Sequence, residues 1–119
     1  MKKQLVISTS NDMLRISPDK IVYILADGNY STLVQSDNNK FVLSYQLGQI
    51  EKLISTQLGG DGNIFISIGK SLIVNRSYIY YINISKQKIV LSDTSSFSHS
   101  LTASKDALKL LKELLEKEV

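Results

Sequence analysis

The chain has 119 residues, 43% of them hydrophobic, with no cysteine, one histidine and a formal net charge of +3. That length supports one domain, 1–119, with a real core, while the missing cysteine excludes disulfides, thiolate metal sites and cysteine nucleophiles. The lone His99 leaves no conventional zinc cluster and little general-base chemistry, so neither an enzyme nor a metal or cofactor is expected.

The start, Met1-Lys2-Lys3-Gln4-Leu5-Val6-Ile7-Ser8, is basic and then apolar, but its apolar part is too short for a signal peptide. No apolar run approaches membrane-spanning length. A cytoplasmic protein without a membrane partner is expected. Gln4 to Ser8 reads as a strand, Ser10-Asn11-Asp12 as a turn and Met13 to Ile16 as a second strand. Ser17-Pro18-Asp19 turns the chain again, with proline where its fixed φ helps. Ile21 to Leu25 is a compact apolar strand expected to be buried on both faces.

Asp27-Gly28 is the strongest hairpin dipeptide in the chain. Tyr30 to Gln35 returns from it, with Tyr30, Thr32 and Val34 alternating against Ser31, Leu33 and Gln35. Asp37-Asn38-Asn39 leads into a strand over Phe41 to Ser44. Leu47, Ile50, Leu53 and Ile54 then fall at helical spacing. Ser55 to Asn63 reads as a flexible loop. Its Gly59-Gly60-Asp61 is similar to the cyclic-dinucleotide synthase signature but lacks the acidic and aromatic residues that should follow.

Ile64 to Asn75 has two β-branched, apolar arms around Gly69-Lys70-Ser71. It reads either as two short strands with a tight turn or as one strand bulged at the glycine. Either way a sheet holds a cation out to solvent. Gly69-Lys70-Ser71 also matches the tail of a phosphate-binding loop, but the first glycine of that motif would fall on Ile64. Leu72-Ile73-Val74 is also poor material for the helix such a loop must open.

Asn75-Arg76-Ser77 can make one helical turn capped by Asn75. Tyr78 to Ile84 reads as a strand with Tyr78, Tyr80, Ile82 and Ile84 on one face, followed by strands at Ile89 to Leu91 and Phe97 to Leu101. From Ser104, an N-cap, to about residue 118 the chain is an amphipathic helix, with Asp106 in its first turn and a stripe of Ala107, Leu110, Leu111, Leu114 and Leu115. Its charges balance, so the cationic excess lies in the β-rich body, in Lys52, Lys70, Arg76, Lys86 and Lys88. The expected fold is mostly β with two helices, a β-rich α+β arrangement of small antiparallel sheets.

Ile21-Val22-Tyr23-Ile24-Leu25-Ala26-Asp27-Gly28-Asn29-Tyr30 resembles the opening of the LytTR family of bacterial DNA-binding domains. Gln46 to Ile54 sits where that family has a helix, and Phe65 through Lys70-Ser71-Leu72-Ile73-Val74-Asn75 resembles its most specific run. The resemblance covers roughly Arg15 to Leu111. It implies an elongated domain that reads double-stranded DNA with loops and strand ends in successive major grooves.

By that resemblance the contacting positions are Asn29, Tyr30 and Ser31, then Gly69, Lys70 and Ser71, then Leu101, Thr102 and Ala103. The family's His-Arg is here Gly69-Lys70, and its paired arginines are here Thr102 and Ala103. Lysine is a point charge where arginine grips a base edge at two atoms. Arg76 either meets phosphate or covers a strand edge, and Lys70 either meets DNA or is a solvated turn residue. The tyrosines at 78, 80 and 81 read as sheet packing, and His99 as a strand histidine with a local hydrogen bond. The last helix packs on its own body or forms a homodimer seam.

Two functions are therefore compatible with the sequence. One is a stand-alone DNA-binding transcription regulator whose input comes from a partner regulator, a ligand or its own concentration. The other is a protein-interaction or ligand-binding module on the same scaffold.

Overall fold

The computed structural model describes residues 3–119, so Met1 and Lys2, where the signal-peptide comparison begins, lie outside the described residues. In chain order the elements are β1 (Leu5–Ser8), β2 (Met13–Ile16), β3 (Ile21–Asp27), β4 (Tyr30–Gln35), β5 (Lys40–Leu43) and α1 (Leu47–Leu58). Then come β6 (Phe65–Ile68), β7 (Leu72–Asn75), β8 (Ile79–Asn83), β9 (Lys88–Ser92), β10 (Ser98–Thr102) and α2 (Lys105–Glu116). Three antiparallel sheets result: β1-β2, β10-β9-β8, and the five-stranded β5-β4-β3-β7-β6.

The five-stranded sheet is the middle layer. On one face Ile24, Leu33 and Ile73 pack against Ile50, Ile54 and Leu58 of α1 and Leu5 and Ile7 of β1. On the other face Tyr23, Val34 and Val74 meet Ile89, Leu91, Phe97, Leu108 and Leu111. Each such aliphatic side chain contributes about 1.5–3 kcal/mol when fully buried. Cover on both sides is why β3 can be continuously apolar. Ile21 through Ile24 are buried, and the expectation fails only at Leu25, which is 38% exposed.

Two rings join the layers. Tyr78 sits edge-on to Phe97 at 5.0 Å, and its hydroxyl donates to the Asp19 carbonyl oxygen at 2.7 Å. His99 sits edge-on to Tyr23 at 5.3 Å. The local hydrogen bond expected of His99 is absent at Nε2, which is buried without a partner.

Three further expectations are corrected. The segment 55–63 is not a flexible loop: α1 continues to Leu58, and 59–64 winds as 3-10 helix. Leu58 is fully buried one turn beyond Ile54, and the Gln57 side chain donates to Val6 O and accepts from Val6 N, both at 2.8 Å. These tertiary partners carry the helix past a sequence rich in turn formers.

In α2 the buried leucines are Leu108 and Leu111, whereas Leu110 is 68% and Leu114 42% exposed. At 3.6 residues per turn Leu110 points about 100° away from Leu111, and the side of α2 that docks is the one carrying Leu108 and Leu111. In β8 a register shift between Ile79 and Tyr81 breaks the expected face, leaving Tyr80 and Tyr81 outward.

Candidate nucleic-acid interface

The β3–β4 hairpin closes with Asp27 opposite Tyr30, leaving Gly28 and Asn29 as its two-residue loop. Gly28 has φ +61°, the sign that a loop with glycine first requires. The 64–75 stretch resolves to the hairpin alternative, with Ile68 opposite Leu72 and Gly69, Lys70 and Ser71 as its tip. Gly69 takes φ +60°, which lets the chain reverse before Lys70.

β3 and β7 are antiparallel neighbours with Leu25 opposite Leu72, and the Ala26 N–H donates to Ser71 O at 2.8 Å. The two hairpin tips therefore emerge side by side at the same end of the sheet. Asn29, Tyr30, Lys70 and Ser71 are all exposed there. Asp27, the last residue of β3, is exposed at that end as well.

The N-terminus of α1 reaches the same place. The Gln46 Nε2 donates to Asn29 Oδ1 at 3.1 Å, and the Gln46 N–H donates to Gln49 Oε1 at 2.8 Å. The partial positive charge of a helix N-terminus therefore lies beside the first tip. Ser31 does not join this surface. It is fully buried, and its hydroxyl donates to the Tyr45 carbonyl at 2.8 Å, fixing the residue before Gln46.

The third segment ends β10. Thr102 is exposed and lies opposite Lys88, and the Ala103 N–H donates to Gln87 O at 3.1 Å. Lys86 and Lys88 are thus at its side, and Lys105 follows at the start of α2. Ser104 and Gly69 line one shallow groove, together with Ile66, Leu110 and Leu114, which brings this segment beside the second tip. Among the described residues none of Lys70, Lys86, Lys88 and Lys105 is ion-paired.

Arg76 is not brought to this end. β7 runs away from the Lys70 tip for four residues, about 13 Å at strand rise, before reaching it. There Asn75 donates to Ile21 O at the opposite end of β3, and Arg76 pairs with Glu118. Reading by residue type and proximity in sequence could not separate Arg76 from Lys70, because only strand direction does.

Sequence reasoning missed Gln46 and Gln49 as parts of the site. Their three-residue spacing is that of a capping box, although glutamine is an unusual first member. Among the described residues no cluster of His, Cys, Asp or Glu could hold a metal ion, and no helix is long and apolar enough to cross a membrane.

The sequence model of the LytTr DNA-binding domain matches residues 11–116, slightly wider than the motifs alone suggest. A solved structure with the same fold is the LytTr DNA-binding domain of a Bacillus cereus protein described as a methyl-accepting/DNA response regulator. It superposes with a TM-score of 0.67 at 20% identity, over 97% of this chain and 98% of that one. No curated protein matches the chain.

Proposed function

Because the chain belongs to the LytTr DNA-binding domain family, we propose that it is a bacterial, cytoplasmic transcription regulator acting as one unit on double-stranded DNA. In this reading the tips 28–30 and 69–71 and the segment 101–103 enter successive major grooves. The observation that carries it is the emergence of both hairpin tips at one end of the sheet, with Lys70 exposed on the second tip and Lys86, Lys88 and Lys105 around Thr102. Binding is the whole activity, with no catalytic step and no cofactor.

Phosphate contacts from Lys70, Lys86, Lys88 and Lys105 supply affinity without sequence information. No arginine stands at 69–71 or 101–103, so the bidentate grip on guanine is absent from both. Duplex binding should therefore be measurable at low salt, weaken steeply as salt rises and show modest preference among sequences. Anisotropy titrations of a mixed duplex pool across a salt series test this. Absence of binding at low salt would sink the reading and favour the second one, an interaction or ligand-binding module, to which the missing arginines also point. In either case the input comes from a partner regulator, a ligand or self-association as a homodimer.

A further inference from the structure

Asn29 is exposed at its hairpin tip, but its side chain is not free to choose its own orientation. Its Oδ1 accepts from Gln46 Nε2 at 3.1 Å, while its Nδ2 has no protein partner among the described residues. Gln46 is itself anchored from two directions. Its N–H is held by Gln49 Oε1 in the first turn of α1, and the preceding Tyr45 carbonyl is held by the buried Ser31 hydroxyl of β4. The helix start and β4 thus hold the Tyr45–Gln46 backbone peptide, and the side chain of the residue so fixed reaches the hairpin tip.

The chemistry of base edges makes this consequential. An asparagine that reads adenine uses both of its groups at once, Nδ2 donating to N7 and Oδ1 accepting from the N6 amino group. Gln46 takes one of the two lone pairs of Oδ1 and turns that oxygen toward α1, so Nδ2, which has no protein partner among the described residues, is the group Asn29 presents. An amide presenting its donors in the major groove suits the adjacent N7 and O6 of guanine or the O4 of thymine, whereas adenine offers it N7 beside an N6 amino group that is itself a donor.

Resting on the DNA-binding reading above, we propose that Gln46 is a positioning residue that sets the base preference of the first tip. It holds the acceptor of Asn29 away from DNA, so that the tip selects guanine or thymine and disfavours adenine.

The test is selection from a randomised duplex library at low salt with the whole chain, as wild type, Asn29→Ala, Gln46→Ala and Gln46→Glu. The bound fraction is sequenced, and the base profile is read rather than the affinity. Wild type should prefer guanine or thymine at one position, and Asn29→Ala should erase that preference. Gln46→Ala releases Oδ1 and should raise adenine there by about fivefold or more, the low end of what a bidentate pair discriminates.

Should Gln46→Ala unsettle α1, Gln46→Glu retains an acceptor at the helix start. A carboxylate can only accept, so it turns the Asn29 Nδ2 inward and Oδ1 outward, moving preference to the amino groups of adenine and cytosine. The proposal is overturned by an Asn29-dependent adenine preference already present in wild type, by no Asn29-dependent position at all, or by profiles unchanged in both Gln46 variants. Wild type that binds no duplex at low salt overturns the DNA-binding reading as well, so the two failures are told apart.

Discussion

The Nδ2 of Asn75 donates to the carbonyl oxygen of Ile21 at 2.9 Å, bolting the end of β7 to the start of β3. The same side chain accepts from the Ser77 N–H at 2.9 Å, and Asn75 is fully buried. Both halves of the amide are therefore used away from water. Asn75→Ala should lower stability by about 1–3 kcal/mol, since buried partners are left unsatisfied. Asn75→Asp should cost more, because a carboxylate cannot donate to Ile21 O. Urea unfolding of the two variants checks the order, and a loss within error for both would deny the bond a structural role.

Gly28 and Gly48 should respond to a side chain with opposite signs. A Cβ at either meets nothing within 4 Å, so packing does not decide. Gly28 has φ +61°, where an L-residue is penalised by about 1–2 kcal/mol. Gly28→Val should therefore destabilise clearly. Gly48 lies in the first turn of α1, and Gly48→Ala should stabilise by about 0.5–1 kcal/mol. Thermal unfolding of the pair tests the hairpin and the helix together.

The two sides of α2 are separable by truncation. Leu108 is fully buried and Leu110 is 68% exposed. Leu108→Ala and Leu111→Ala should each cost about 2–5 kcal/mol through the cavity left behind. Leu110→Ala should stay within about 0.5 kcal/mol. Sedimentation adds a second reading: a folded, monomeric Leu111→Ala from a dimeric parent would move Leu111 from this core to an interface between copies.

Lys70 is an exposed cation at the second tip, without an ion-pair partner among the described residues. If it meets a phosphate, Lys70→Ala should weaken duplex binding across all sequences and flatten the log–log salt slope by about 0.9. If it meets a guanine, preference at one base position should relax instead. Arg76→Ala serves as the contrast, since Arg76 faces Glu118 at the far end of β7 and its loss should leave the slope unchanged.

His99 should make stability fall on mild acidification. Burial, and secondarily the charge of Lys40, hold its pKa below the ordinary 6.5. The unfolded chain therefore binds a proton that the folded chain resists, and stability is lost as pH drops below 6.5 toward the lowered folded value. The carboxylate of Asp93 also has a lowered pKa, so its contribution disappears only below the ordinary 3.8. His99→Phe keeps a ring against Tyr23 and should flatten the upper part of the pH–stability curve. A curve identical to wild type as the pH falls below 6.5 would sink this assignment.

Local signals in the sequence were enough to find most strands, the turns at 27–30 and 69–71, and the caps at Asn75 and Ser104. The observed caps bear this out: Asn75 accepts from Ser77 N and Ser104 from Ala107 N. Such features depend on backbone preference and on partners a few residues away, so a short window contains their cause. Family motifs added the order of the candidate contact segments.

What required the tertiary structure was every decision about which side of an element faces what. Leu108 rather than Leu110 is buried because the β6–β7 hairpin and the β10-β9-β8 sheet meet that side of α2. Ser31 is spent on the Tyr45 carbonyl, and Arg76 stands at the end of β7 away from Lys70, because strand pairing sets direction and depth. The Gln46–Asn29 bond joins residues separated by 17 positions. No periodicity encodes such a contact, since it exists only once hairpin and helix have been packed at the same end of one sheet.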